Sequence, residues 1–279
     1  IIRFAKLMGL SAIGITDLDN LFVPVEGFAE TNNLEKGFLP GLEFRTGRPG
    51  LEILVYFPDA TSLFEWLDSG DAVHLKTVLK KLQSSVHKQT LSVIPEVNRF
   101  LSGLGIKDLL TVVEVDKWFS GRQPYYPGTL AVLGLKRLSQ EQRDNIRIYD
   151  PREFNTRVVT PALKKLKRVP MPEQSIEGVF AIAAEARKTG LLCRTVLAHP
   201  IELETKGKMS REKVRLLLHT LVDDYGLDGL EVNNSRDDAS STSAWNAFAD
   251  EIDRSRPGKK PLIRSSFSSD FHVLNPGLA

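Results

Sequence analysis

Residues 175–200, SIEGVFAIAAEARKTG followed by LLC and then RTVLAHP, decide the fold class. Ser175 is a suitable N-cap, an alanine-rich run at helical spacing follows it, and Gly190 stands where a helix closes. RTVLAHP (194–200) is then a short apolar strand ending at His199. A helix feeding a strand that ends on an imidazole is a unit of a parallel α/β sheet. In such sheets and barrels, functional groups gather where strands end.

The same rhythm extends both ways. Downstream, 210–225 reads as a helix, GLDGLEV (226–232) as a strand, 243–254 as a helix, and PLIRSSFSSDFH (261–272) as a final strand carrying Asp270 and His272. Upstream, 1–9 and 26–36 read as helices. SAIGIT (11–16) is a strand running into Asp17, GFLPGLEF (37–44) one ending near Glu43, and LEILVYF (51–57) one of strong β character. Between 60 and 170 the pattern is less regular. Residues 71–89 form an amphipathic helix with Leu75, Val78, Leu79, Leu82 and Val86 on one face. TLAVLGL (129–135) fits a strand or a short buried helix equally well, and GRQPYYPG (121–128) is a turn-rich loop. Neither an internal repeat nor a low-complexity tract occurs.

At 279 residues, with 42% hydrophobic and 26% charged residues, the chain can bury a substantial core. A net charge of +2 gives no strong pull toward nucleic acid or anionic lipid. The apolar runs are strand-length, far short of the ~20 residues of a membrane helix, so no membrane partner is expected. One cysteine, Cys193, excludes an intrachain disulfide and a thiolate zinc site, and reads as a buried thiol. A cytoplasmic, reducing location is the default expectation.

Asp17, Glu43, His199, Asp270 and His272 all fall at or just beyond strand ends. In an extended segment, residues i and i+2 point the same way, so Asp270 and His272 can reach one point while Phe271 packs opposite. Imidazole with carboxylate suits zinc, manganese or iron. A lone histidine is ordinarily a satisfied polar group; four such residues at strand ends point to a metal. Ser268, Ser269, Asp270 and His272 do not make a nucleophilic triad, since neighbours on one strand cannot wrap a substrate and no G-x-S-x-G occurs. P-loop and G-x-G-x-x-G motifs are also absent, which leaves nucleotide hydrolysis and hydride transfer without support.

Five segments together resemble the PHP (polymerase and histidinol phosphatase) superfamily. AKLMGLSAIGITDLDN (5–20) is similar to its helix and strand ending in T-D-H-D, GFLPGLEF to P-G-x-E, and VLAHP to A-H-P; GLDGLEV is similar to the strand that follows, and SSDFH to the closing S-D-x-H. The order agrees over roughly 1–60 and 175–279. The resemblance implies a single distorted (β/α)7 TIM-like barrel spanning 1–279, with an insertion at about 70–170. It further implies divalent zinc, manganese or iron, and hydrolysis of a phosphate ester on a small substrate by metal-activated water. By position Glu43, His199, Asp270 and His272 are the implied metal ligands, and Asp17 a catalytic residue beside them. Arg45, with Arg48, is placed to steady a phosphate.

The sequence departs from the pattern in three places. The family's opening H-x-H falls upstream of Ile1, so the chain reads as a fragment lacking the first strand. Leu18 stands for the histidine of T-D-H-D and cannot ligate. Glu52 stands where the strand after Glu43 carries a histidine, and could ligate through oxygen. Two alternatives to the phosphoesterase follow: a degenerate PHP-like module serving as scaffold or interaction domain, and a nucleic-acid-processing phosphodiesterase. The basic cluster Lys164, Lys165, Lys167 and Arg168 is the feature that would serve nucleic acid, and it reads first as a solvated helix face.

Overall fold

Short runs of β-branched and apolar residues, interrupted by turns, build a sheet in which the central strand residues Leu42, Phe44, Ile53, Val55 and Leu197 are buried. The computed structural model describes residues 12–18, 37–119, 130–166, 169, 172–234 and 239–268. Six strands, β1 (Ala12–Leu18), β2 (Gly37–Arg45), β3 (Glu52–Tyr56), β4 (Arg194–Leu197), β5 (Gly229–Asn234) and β6 (Ile263–Ser268), form one sheet in sequence order. β1–β2, β4–β5 and β5–β6 are parallel, whereas β3 is antiparallel to both β2 and β4. The expectation of a largely parallel sheet therefore fails at β3.

Loop length is the reason. A parallel connection needs a crossover of a dozen or more residues. The link from β2 to β3 is only Thr46–Leu51, tied by Thr46 N and Oγ1 donating to Leu51 O at 3.1 and 2.9 Å. Among the described residues no ladder joins β1 to β6, so the fold stands as a mixed α/β sheet with helices against it.

The described residues divide into two compact units. The first lies within Ile1–Val78 and Glu173–His272, the second within Leu79–Pro172. In the first unit, α1 (Ala60–Ser69) contacts β2 and is capped by Asp59, whose carboxylate accepts from Ser62 N at 2.7 Å. α2 (Val73–Gly103) starts in this unit. It does not end at 89 as the periodicity suggested, but runs through Pro95 to Gly103. Proline removes one backbone donor and strains the preceding turn; here flanking Val93, Ile94 and Val97 are buried, and packing holds the helix together.

The regular elements described in the second unit are all helical: α2 beyond Val78, α3 (Val112–Phe119), α4 (Leu130–Lys136), α5 (Gln140–Ile146), α6 (Pro151–Phe154), a π-turn over Asn155–Val159, and α7 (Thr160–Lys165). The ambiguous TLAVLGL run is α4, with Leu130, Ala131, Leu133 and Leu135 buried. Its Gly134 lies directly beneath Phe154, where a Cβ would come within 2.5 Å of the ring. Phe154 in turn meets Phe100 edge-on at 5.7 Å.

In the first unit the expected helix appears as α8 (Ile176–Lys188), with Ser175 capping it by accepting from Gly178 N at 3.0 Å. Its buried face, Val179, Ile182, Ala183 and Ala186, is the helical stripe read in the sequence, and α8 contacts β4. α9 (Ile201–Thr205) follows β4, α10 (Arg211–Asp223) leads to β5, and α11 (Ala239–Ser255) contacts β5 before β6. Gly229 lets β5 and β6 approach closely, since a Cβ there would sit 2.4 Å from Ile263 O. Among the described residues no helix is long and apolar enough to cross a membrane.

Candidate metal centre

Strand alternation separates two faces of the sheet. Leu42, Phe44, Ile53, Val55 and Leu197, all fully buried, lie on one. Glu43 lies on the other, cross-strand from Leu54, and Leu54 pairs with Val196. Leu54, Val196 and Ala198 form a small apolar cluster there, with Tyr56 against it. Glu52 lies two residues before Leu54, so it shares that face. β3 is antiparallel, and it therefore delivers Glu52 from its beginning to the same end of the sheet that Glu43 reaches near the close of β2. An all-parallel sheet would have sent Glu52 to the opposite end.

His199 follows β4 at this same end. Its backbone is in the left-handed region, φ 26°, which non-glycine residues seldom adopt. Two contacts hold it there: His199 N donates to Glu231 Oε2 at 2.8 Å, and His199 O accepts from Glu202 N at 2.9 Å. The imidazole Nε2 consequently lies 3.2 Å from Glu43 Oε1 and 3.0 Å from Glu52 Oε2. Each of the three residues offers a ligand atom within 4.8 Å of the others. On the other edge of the ring, Nδ1 lies 3.5 Å from Glu202 Oε2, which also holds Lys206 Nζ at 2.5 Å.

Burial sharpens the electrostatics. Glu43, Glu202, Glu231 and His199 are all at least nine-tenths buried. Burial opposes the charged imidazolium of His199, but hydrogen bonds to Glu43 and Glu52 outweigh it and push the pKa up to about 9. Burial likewise opposes ionisation of Glu52, yet the His199 and Glu43 hydrogen bonds bring it down to about 2. Glu43 goes the other way: burial, then the Glu52 charge, hold its carboxyl above the usual range despite His199. Without a cation, two facing carboxylates cannot both be comfortably ionised, so protons occupy the cluster. Two oxygen donors and one imidazole nitrogen, buried together, fit a divalent transition ion once those protons are displaced.

Of the residues singled out in the sequence, Glu43 and His199 are brought together, with Glu52 as the third member. Asp270 and His272 lie outside the described residues. Asp17 is in β1, in register with Leu42, and its side chain is outside the description. Arg45, in register with Glu52, is half-exposed, with Nε 3.7 Å from Glu52 Oε1; Arg48 is on the exposed hairpin. Sequence reasoning missed Glu202 and Glu231. The signal for Glu202 was an acid three residues after a strand-end histidine, and for Glu231 a lone acid inside an otherwise apolar strand. Cys193 is buried, its thiol donating to Ala183 O at 3.4 Å and its pKa pushed up by burial.

No family model matches the sequence, and no curated protein matches it. Solved structures share the fold, two hydrolases among them. One is a "putative metal-dependent phosphoesterase" from Bifidobacterium adolescentis, 16% identical, with a TM-score of 0.51 over 95% of this chain and 79% of that one. The other is an amidohydrolase from Chromobacterium violaceum, solved with bound sulfate and no metal; it is 18% identical, with a TM-score of 0.51 over 96% of this chain and 80% of that one. At such identities the likeness establishes the fold alone.

Proposed function

We propose that this protein is a metal-dependent hydrolase acting on a small phosphate ester, with zinc, manganese or iron held by Glu43, Glu52 and His199. The observation that carries the proposal is the convergence of two carboxylate oxygens on His199 Nε2, at 3.2 and 3.0 Å. A divalent ion held by these residues would supply Lewis-acid polarisation of a phosphoryl oxygen and lower the pKa of its bound water. Glu43 and Glu52 supply the hard oxygen donors, and His199 sets the third direction. Loading would displace protons from the cluster, the one on His199 Nε2 included, because ligand atoms bind in their deprotonated forms. Arg45 stands at the rim, where its guanidinium can turn from Glu52 toward a phosphate.

The proposal includes the distorted (β/α)7 barrel of the PHP superfamily, residues of about 70–170 as an insertion, and a cytoplasmic location. It also includes Asp17 as an acid–base beside the site and Asp270 and His272 as further ligands. In support of the last, β6 runs parallel to β4, so its last residue, Ser268, lies at the end of the sheet where His199 follows β4.

A second reading has its own observation. Leu18 is the register partner of Glu43, at the position where the T-D-H-D pattern has a ligand. Loss of that ligand favours a weakly metallated module acting as a scaffold.

The test is metal analysis of purified protein after loading and desalting, beside hydrolysis of p-nitrophenyl phosphate. Retention of at least one equivalent, lost in Glu43→Ala and His199→Ala, with hydrolysis abolished by chelator, is expected. No retained metal overturns the proposal; retained metal without hydrolysis of any phosphate ester favours the scaffold.

A further inference from the structure

We infer that Glu202 is a positioning residue: its carboxylate holds the Nδ1–H edge of His199, so that Nε2 faces Glu43 and Glu52. The inference rests on the metal-site reading above. Histidines that bind metals commonly donate their second ring N–H to a carboxylate, which fixes both tautomer and ring angle.

Three observations carry it. First, Glu202 is 3% exposed, and burying a carboxylate is costly unless it meets a cation or donor. It meets Lys206 Nζ at 2.5 Å on one side and lies 3.5 Å from His199 Nδ1 on the other. That gap exceeds hydrogen-bond length, and polar contacts of this kind often tighten only when a site is filled. Second, among the described residues no other acid lies within ion-pair reach of Nδ1, whereas Nε2 has Glu43 and Glu52. The two edges of the ring are thus assigned to different partners.

Third, the main chain of Glu202 is locked. Its N–H donates to His199 O at 2.9 Å, and its carbonyl accepts from Lys206 N and Gly207 N at 2.8 and 2.9 Å. Gly50 of the β2–β3 hairpin lies so close that a Cβ there would come within 2.4 Å of Glu202 O. Gly207 is equally confined, with Leu203 O and Pro49 O at 2.6 and 2.7 Å from the position of a Cβ. One hairpin therefore sets both Glu52, as a candidate ligand, and the backbone of Glu202, which orients the histidine. Glu204, on the same short helix, serves as the comparison: it pairs with Arg211 at 2.7 Å rather than with His199.

The test uses zinc binding to the full chain, measured against a competing chelator, in wild type and in Glu202→Ala, Glu202→Gln and Glu204→Ala. Removing an outer partner of this kind typically weakens metal binding about 10–100-fold. Glu202→Ala is expected to lose that much. Glu202→Gln, which keeps an acceptor for Nδ1–H, should stay within about threefold of wild type, as should Glu204→Ala. Equal affinity in wild type and Glu202→Ala overturns the inference, and so does a Glu202→Gln variant as weak as Glu202→Ala. Should Glu202→Ala fail to fold, nitrogen-15 NMR of zinc-loaded wild type decides. His199 protonated at Nδ1 and not at Nε2 supports the assignment; the reverse overturns it. A wild type that takes up no zinc brings down the metal-site reading itself, which the other outcomes leave standing.

Discussion

His199 Nε2 lies 3.2 Å from Glu43 Oε1 across 156 residues of chain, and the pair is almost wholly shielded from water. Its first consequence is a pH signature in the metal-free protein. His199 is raised from 6.5 to about 9 on folding, so its charged form stabilises the fold fully below about pH 6.5, and that contribution disappears as pH rises through about 9. Glu52, lowered from 4.5 to about 2, contributes above its unfolded value and loses that contribution as pH falls through about 2. Thermal melts of apo protein should therefore drop between pH 6.5 and 9, and the drop should vanish in His199→Gln. An equal drop in both proteins contradicts this account.

Glu231 holds the strained backbone of His199. Removing the acceptor in Glu231→Ala leaves a buried N–H unpaired, at a cost of about 1–3 kcal/mol. Urea unfolding should register that loss, with Glu231→Gln losing less because an acceptor oxygen remains. Two variants of equal stability would show that the 2.8 Å contact is not what holds His199.

Much of this arrangement is legible in the residues alone. Ser175, the alanine-rich stripe and Gly190 define α8, and the β-branched run after them defines β4 with His199 at its end. Glu52 stands out as an acid opening an apolar strand. What stays hidden depends on direction and distance. LEILVYF has the same apolar pattern whichever way it runs, and only the six-residue link from Thr46 to Leu51 betrays the hairpin. TLAVLGL is apolar at every period, so its helical state is decided by Phe154 and the surrounding core rather than by pattern. Glu202 and Glu231 look like ordinary helix and strand acids until tertiary contacts place them beside His199.

Gly50 is where hairpin and helix meet. It adopts φ 76°, and a methyl group would press on Glu202 O at 2.4 Å. Gly50→Ala should cost roughly 1–3 kcal/mol, the usual range for such backbone strain, and weaken metal binding along with stability. A stable variant with normal metal affinity would mean that the hairpin relaxes freely and does not set the site.

Leu18 offers a gain-of-function test. As register partner of Glu43 it occupies the end of β1 beside the cluster. Leu18→His adds an imidazole there, and zinc affinity measured by chelator competition should rise about tenfold or more, the scale on which ligand-shell changes act. Unchanged affinity would place that position outside the metal's reach.

The most direct test of the central claim is anomalous diffraction from crystals of the full chain soaked in zinc or manganese. The account predicts a metal peak bounded by Glu43, Glu52 and His199 Nε2, with the direct carboxylate–imidazole hydrogen bonds broken. A fully soaked crystal with no peak there, and with His199 still paired to both carboxylates, would contradict it.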